Sequence, residues 1–170
     1  MLFMMPISSK HAAPPAPPPA LRIERSDPGG ARARALIGEL DAYQRSLYPA
    51  ESNHLVPVEA LRQPGVVFLL ASFGVEAAGC AALVDRDGIY GEIKRMYVPP
   101  AGRGRGVGRA LLQHLVVQAR LLGLRWLRLE TGIEQPEAIA LYESAGFRRR
   151  GPFGEYREDP LSLFMELDLR

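Results

Sequence analysis

The spacing of apolar and polar residues divides the chain into strand and helix segments. Apolar and charged residues alternate at positions 21–24, a period of two that predicts a strand. A helix is predicted to begin at Asp27-Pro28 and to end near position 47, because the following Tyr48-Pro49 pair disfavours helical backbone. A surface loop then leads to a short helical segment at positions 58–61.

A β-rich region occupies the middle of the chain. Three segments rich in β-branched and aromatic residues, at positions 66–72, 77–84 and 89–98, are separated by short glycine-containing turns. This arrangement predicts an antiparallel meander. Beyond it, leucines and other apolar residues recur at helical spacing until Gly123. The predicted order is therefore strand, glycine-rich loop and helix.

Three further strands and a helix complete the predicted domain. A strand at positions 125–130 follows the long helix, and a βαβ crossover places it parallel to the strand before the loop. Pro136 and Gly146 bound another helix, while Phe147 and positions 162–169 supply two closing strands. These elements predict a mixed α+β (α/β) fold whose central sheet is mostly antiparallel, with six to seven strands and one parallel pair.

The composition predicts one folded domain with a short extension. The 170 residues, 47% of them hydrophobic, are enough for one well-packed domain and too few for two ordinary ones. Proline and alanine dominate from Ser8 to Pro19, a composition typical of extended, solvated backbone. A tail is predicted at 1–19 and the domain at 20–170. The tail is also a candidate proline-rich ligand for another domain.

Charge and cysteine content exclude several classes of protein. The charged fraction of 24% and the net charge of +2 are ordinary, so neither nucleic acid nor a membrane is expected as a partner. No apolar run approaches the roughly 20 residues that span a bilayer, and Met1 to Ile7 lacks the basic flank of an export signal. Cys80 is the single cysteine, and the histidines lack metal-ligand spacing, so no metal is expected. We expect a cytoplasmic protein.

The segment between the strand and the long helix has the composition of a phosphate-binding loop. It consists of Arg103-Gly104-Arg105-Gly106-Val107-Gly108, so unpaired backbone N–H groups and the positive end of a helix dipole converge there. Glycines let a pyrophosphate approach the backbone, and the arginines can add charge-assisted hydrogen bonds. The glycine spacing does not match a dinucleotide fingerprint, and a Walker loop would need a lysine.

This loop resembles the Arg/Gln-x-x-Gly-x-Gly/Ala motif of the GNAT superfamily of N-acetyltransferases. The resemblance extends to both sides: Gly91 to Pro99 is similar to the family's fourth strand, and Ala138 to Phe147 is similar to its Ala-x-x-Leu-Tyr-x-x-x-Gly-Phe segment. Glu130-Thr131-Gly132 followed by Gln135-Pro136-Glu137-Ala138 resembles a bacterial branch. The resemblance implies the GNAT fold and direct transfer from acetyl-CoA to a primary amine of a small molecule or peptide. It leaves the oligomeric state open, with a homodimer as one candidate.

The resemblance also implies which residues hold the cofactor. The end of the fourth strand pairs with pantetheine as an added strand would, and backbone N–H groups of Val98 and of Arg103 through Gly108 hold pantetheine and pyrophosphate. Gln135 stands where many family members place a cofactor-contacting asparagine. The predicted cofactor residues are Met96, Tyr97, Val98, Arg103, Gly104, Arg105, Gly106, Val107, Gly108, Arg109 and Gln135.

Acyl transfer to an amine needs an acid for the departing thiolate and a base for the acceptor ammonium. Tyr142 occupies the family's tyrosine position and is the predicted acid, the alternative being a tyrosine of the core. Glu92, in the fourth strand where some members carry a glutamate, is the preferred base, and Glu130 at the end of the next strand competes with it. The alternative for both carboxylates is a salt bridge to Lys94, Arg95 or Arg128.

Polar side chains at positions 48–54 are predicted to form the acceptor wall. Tyr48 begins this loop, Glu51 is a candidate partner for a cationic amine, and His54 is a candidate carboxylate ligand or second base. A merely solvated loop is the alternative. Strand alternation places Arg95 on the opposite face from Glu92, where it would bind a carboxylate or form a structural pair.

Two other functions remain open from the sequence. One is a CoA-responsive binding module that does no chemistry. The other is an RNA-binding protein that uses the loop arginines and those at 148–150, although stacking aromatic residues are lacking beside the loop. The acceptor amine is not specified by the sequence, because a fold does not determine its substrate.

Overall fold

In a computed structural model, residues 18–170 of the protein are described, and they form a seven-stranded sheet with helices on both faces. The first 17 residues of the predicted tail therefore lie outside the described part. The strands are β1 (Leu21–Arg25), β2 (Val66–Phe73), β3 (Glu76–Arg86), β4 (Tyr90–Tyr97), β5 (Trp126–Gly132), β6 (Arg148–Arg150) and β7 (Ser162–Asp168). The helices are α1 (Ala31–Leu47), α2 (Val58–Leu61), α3 (Val107–Leu121) and α4 (Pro136–Ser144).

The sheet has the order β1-β2-β3-β4-β5-β7-β6. Strands β1 to β4 form an antiparallel meander, β5 runs parallel to β4, and β7 pairs antiparallel with both β5 and β6. The crossover from β4 to β5 runs through the glycine loop and α3. The predicted mixed fold, with its mostly antiparallel sheet and one parallel pair, is confirmed.

Each face of the sheet carries its own apolar core. On one face, leucines of α3 at helical spacing pack on the alternate inward residues of the strands, including Leu83 and Leu127, which are fully buried. On the other face, α1 packs Leu36 and Ile37 against Phe68 and neighbouring residues. The sheet is thus covered on both sides at its centre.

Helix α1 begins later than predicted. The carbonyl of Asp27 accepts a hydrogen bond from the N–H of Gly30 at 3.0 Å, and its carboxylate accepts one from the N–H of Gly29 at 2.9 Å. Aspartate commonly forms such a turn by bonding to the backbone two residues on. The Asp27-Pro28 pair therefore makes a turn, and the helix starts at Ala31.

Strands β4 and β5 separate at their carboxyl ends. They pair from Gly91 to Ile93, and the ladder stops where Ile93 lies opposite Leu129. On the other side of β4, a β-bulge inserts one extra residue, and Arg95 adopts a left-handed backbone with φ of 53°. The strand bends at this point, and the resulting gap is where the cavities described below are found.

Within residues 18–170, the helices are too short or too polar to cross a lipid bilayer.

Candidate active site

Two adjoining cavities lie at the gap between β4 and β5. The larger one, the cofactor groove, has a volume of about 630 Å³ and runs along the end of β4 to the glycine loop. The smaller one, the acceptor cavity, has a volume of about 90 Å³ and lies between the end of β5 and the loop after α1. The two cavities share part of their walls, and the residues that line both are Leu40, Met96, Gln135, Ala138 and Tyr142.

The glycine loop forms one end of the cofactor groove. Gly104 and Gly106 have φ of 71° and 77°, the left-handed region that glycine adopts without strain. In the part of the chain that the structure describes, no backbone N–H of residues 104–109 donates a hydrogen bond. Together with the start of α3, these donors form the kind of site that binds a pyrophosphate. The arrangement fits the predicted cofactor.

The arginines of this loop differ in where their side chains lie relative to the groove. The backbone N–H of Arg103 donates to the carbonyl of Pro100 at 3.2 Å, so it is not among the free N–H groups of the loop. The Arg103 guanidinium instead lines the groove and lies 3.3 Å from the Glu137 carboxylate. Arg109 also lines the groove, whereas the Arg105 guanidinium stacks over the ring of Phe73, 3.7 Å from its centroid.

The end of β4 supplies the long wall of the groove. Met96, Tyr97 and Val98 all line it, and this stretch lies beyond the last residue that pairs with β5. Its backbone edge toward β5 is therefore available to pair with an extended ligand such as pantetheine. Gln135, the predicted counterpart of the family's asparagine, lines the same groove from the start of α4.

Tyr142 lies where the two cavities meet. Its side chain is 6% exposed and lies beside Phe147, with the ring centroids 5.7 Å apart. Burial, and the nearby charge of Glu130, raise the pKa of the Tyr142 phenol above its usual value. The phenol is therefore protonated at neutral pH and able to donate a proton or a hydrogen bond.

Glu130 lines the acceptor cavity at the end of β5. Its Oε1 accepts a hydrogen bond from the Ser162 hydroxyl at 2.7 Å. Burial raises the pKa of Glu130 above its usual value, and the Ser162 hydrogen bond and the charges of His54 and Lys94 offset this only in part. A carboxylate with a raised pKa in a cavity is a stronger base than an exposed one.

Glu92 lies outside both cavity linings. Its carboxylate is 2% exposed; it accepts hydrogen bonds from Arg86 Nε at 2.7 Å and from the Tyr156 hydroxyl at 2.7 Å, and lies 3.2 Å from Lys94 Nζ. Burial raises the pKa of Glu92, but Lys94 and the hydrogen bonds from Tyr156 and Arg86 lower it further, to below its usual value. The salt bridge to Lys94, the alternative role, is present.

The strand-alternation prediction for Arg95 is wrong. Its guanidinium donates to Asp41 of α1 and to the carbonyl of Val56, so the side chain lies on the same face of the sheet as Glu92. The β-bulge is the reason, because one extra residue in β4 reverses the face of the residues that follow. Arg95 lines the acceptor cavity as a structural pair, which was the second of its two predicted roles.

The loop after α1 supplies part of the predicted acceptor wall. Tyr48 and His54 line the acceptor cavity, whereas Glu51 is exposed and lies outside its lining. The Tyr48 hydroxyl accepts a hydrogen bond from the backbone N–H of Glu134 at 2.9 Å, which ties this loop to the segment after β5. Asn53 donates to the carbonyls of Tyr48 and Pro49 at 2.9 and 3.0 Å and closes the turn.

Three side chains in or near the acceptor cavity were missed by the sequence analysis. Lys94 was considered only as a salt-bridge partner, yet it lines the acceptor cavity. Tyr156 comes from a loop with no recognisable motif and touches His54, with ring centroids 5.0 Å apart. Gln44 lines the cavity from the last turns of α1, a position that helical spacing alone does not mark as special.

Comparisons with known proteins agree on one family. Residues 33–147 match the model of the acetyltransferase (GNAT) family. The chain is 49% identical over 152 residues to the IAA acetyltransferase of Azospirillum brasilense, covering 89% of this chain and 99% of the relative. A Klebsiella pneumoniae structure described as a candidate acyl-CoA N-acyltransferase has a TM-score of 0.75 at 40% identity, covering 88% of this chain and 98% of that one. The Salmonella typhimurium protein yncA, solved with its cofactor acetyl-CoA, has a TM-score of 0.63 at 25% identity, covering 89% and 95%.

Proposed function

Because the chain belongs to the acetyltransferase (GNAT) family and is an N-acetyltransferase with acetyl-CoA as its donor, we propose that Glu130 and Tyr142 carry the proton transfers. One observation supports this assignment above others. Both side chains line the acceptor cavity, and Tyr142 also lines the cofactor groove, whereas Glu92 lies outside both linings. The acceptor is a primary amine on a small molecule.

Glu130 replaces Glu92 as the preferred base. An ammonium cannot attack a thioester until it loses a proton, so the base must reach the amine directly or through one water. Glu92 is held by two cations and a phenol, and its lowered pKa makes it a weak base. Glu130 has one hydrogen-bond donor, a raised pKa and a place in the cavity wall.

Bound acetyl-CoA supplies the thioester whose acetyl group is transferred. The free N–H groups of the glycine loop and the end of β4 hold and orient it. Glu130 takes a proton from the acceptor ammonium, and Tyr142 gives its proton to the departing sulfur. The nitrogen loses its second proton as the amide forms, and this proton restores the Tyr142 phenol. Glu130 releases its proton to solvent, so that one acetylated amine, one free thiol and one proton are produced for each turnover.

The experiment is a CoA-release assay with a panel of amines and amino acids, to which IAA is added because the Azospirillum brasilense relative is named for it. We expect Glu130→Gln to lower kcat/KM by roughly 10²-fold or more and Tyr142→Phe to lower kcat by roughly 10²-fold, both with unchanged acetyl-CoA affinity. Tyr90→Phe, a buried tyrosine outside both cavity linings, is the matched control and keeps full turnover.

The pH profile distinguishes the two carboxylates. A base must be ionised, so kcat/KM falls as the pH drops through the raised pKa of Glu130, and this limb disappears in Glu130→Gln. In Glu92→Gln, we expect the same fall of kcat/KM at low pH as in the wild type. If Glu92→Gln removes it and Glu130→Gln does not, the assignment of the base is wrong. Tight acetyl-CoA binding without thiol release from any amine would instead support a binding module.

A further inference from the structure

Lys94 presents a positive charge to the acceptor cavity. Its side chain is 11% exposed and belongs to the cavity lining. The ammonium lies 3.2 Å from Glu92 Oε1 and donates to the Tyr156 hydroxyl. A lysine ammonium has three N–H donors, so these two partners leave one donor for a ligand in the cavity.

The charge of Lys94 is only partly balanced by its neighbours. Glu92 is shared with Arg86, which donates to the same carboxylate, so this group of three carries one net positive charge. Glu130, which also lines the cavity, carries the opposite charge on the adjacent strand β5. The cavity therefore has a positive and a negative pole, contributed by adjacent strands.

The other cation of the lining is already engaged. Arg95 donates through one nitrogen to Asp41 and through two to the carbonyl of Val56, and its side chain is 5% exposed. These bonds hold the strand bulge against α1 and the loop that follows it. Arg95 uses three of its five N–H donors, but these bonds fix its guanidinium to α1 and the following loop, and its side chain is less exposed than that of Lys94; Lys94 is thus the more accessible of the two cations to an acceptor molecule.

We propose that the acceptor is a small zwitterion, a free amino acid or a close analogue, whose ammonium contacts Glu130 and whose carboxylate contacts Lys94. This inference rests on the proposed function of the same site. Charge-assisted pairs of this kind are strong where water is excluded. A polyamine would bring a second cation to Lys94, whereas the carboxylate of an amino acid complements its charge.

Glu92 and Tyr156 are positioning residues in this scheme. They fix the lysine ammonium through one carboxylate oxygen and one hydroxyl, and the Tyr156 ring packs with Phe153 and Phe164 in a small aromatic cluster. This cluster anchors the loop before β7 to the sheet face, so the position of the ammonium is set by buried groups.

The test compares amino acids with the amines that lack only the carboxylate, such as phenylalanine with phenethylamine and leucine with isopentylamine. We expect wild-type kcat/KM to favour the amino acid by roughly 10²-fold, the effect of a buried charge pair. In Lys94→Met, kcat/KM for the amino acid falls to within a few-fold of kcat/KM for the matched amine, because the KM for the amino acid rises. Lys94→Arg restores much of the preference. Arg32→Met removes an exposed cation at the start of α1 and leaves the ratio unchanged.

The ratio of matched acceptors is the decisive readout, because any change in Glu130 or in stability affects both acceptors alike. Equal rates for both members of each pair in the wild type would overturn this inference and leave the proposed function intact. Absence of CoA release from every acceptor, despite acetyl-CoA binding, would overturn both. If Lys94→Met fails to fold, the wild-type ratio can still overturn the inference, because equal rates exclude recognition of the carboxylate, and Lys94→Arg tests the residue itself.

Discussion

Gly132 at the end of β5 has no space for a side chain. A Cβ atom there would overlap the phenol oxygen and Cζ of Tyr48 and lie 2.6 Å from its Cε2, whereas carbon atoms in contact are about 3.5–4.0 Å apart. The buried Tyr48 ring must therefore move by roughly 1 Å or more in Gly132→Ala. Movement of the ring also separates its hydroxyl from the N–H of Glu134.

The loss in free energy of unfolding expected for Gly132→Ala has two parts, the steric overlap and the lost hydrogen bond. Overpacking costs about 1–3 kcal/mol, and a partly buried N–H that loses its partner costs about 1–3 kcal/mol. We expect Gly132→Ala to lower the free energy of unfolding by about 3 kcal/mol and Tm by roughly 6–12 °C, measured by chemical and thermal denaturation. The KM for the acceptor rises as well, because Tyr48 lines the acceptor cavity.

Two further variants test the reasoning about Gly132. Gly38→Ala, on the exposed face of α1 with open space around the new Cβ, should raise stability by about 0.5–1 kcal/mol. In the Tyr48→Ala background, the clash is gone, so adding Gly132→Ala should cost less than about 0.5 kcal/mol. An equal cost of Gly132→Ala with and without the Tyr48 ring would refute the steric explanation.

The remaining predictions concern the loop, the buried carboxylate and the thiol. Gly106→Ala and Gly88→Ala each force alanine into a left-handed backbone at about 1–2 kcal/mol, but calorimetry should show weaker acetyl-CoA binding only for Gly106→Ala. Glu92→Gln leaves Lys94 without its carboxylate and should cost about 2–4 kcal/mol at neutral pH; because the folded pKa of Glu92 lies below its unfolded value near 4.5, the difference from wild type shrinks as the pH falls below that value. Burial raises the pKa of Cys80 to about 12, so a thiol reagent such as Ellman's should react with the protein only after denaturant unfolds it.

The fold was predictable because its signals are local. Periods of two and of 3.6 marked the strands and helices, and the strand-loop-helix order around residues 103–108 fixed the single parallel pair. The bulge at Arg95 was not predictable, since arginine has no preference for positive φ and nothing in its neighbours marks an inserted residue. Every statement about side-chain faces after that point in β4 was affected.

The choice between the two candidate bases could not be predicted for a similar reason, because it depends on side-chain contacts that the sequence does not show. Glu92 and Glu130 both sit in strands beside cations, and the sequence offers no way to see that Arg86 and Tyr156 enclose one of them. Those two residues lie 6 and 64 positions from Glu92 along the chain. The proposed cofactor loop was easier to find, because its chemistry depends on backbone N–H groups and a glycine pattern reports backbone conformation directly.

The wall that the two cavities have in common links the choice of donor to the choice of acceptor. Met96 and Ala138 face both spaces, so an acyl group longer than acetyl would extend past them into the room that the amine occupies. Propionyl-CoA and butyryl-CoA should therefore remain good ligands of the groove but poor donors, and they should be poorest toward the bulkiest acceptors. A longer acyl chain on the donor then leaves less room for the side chain of the acceptor, because both contact the same residues.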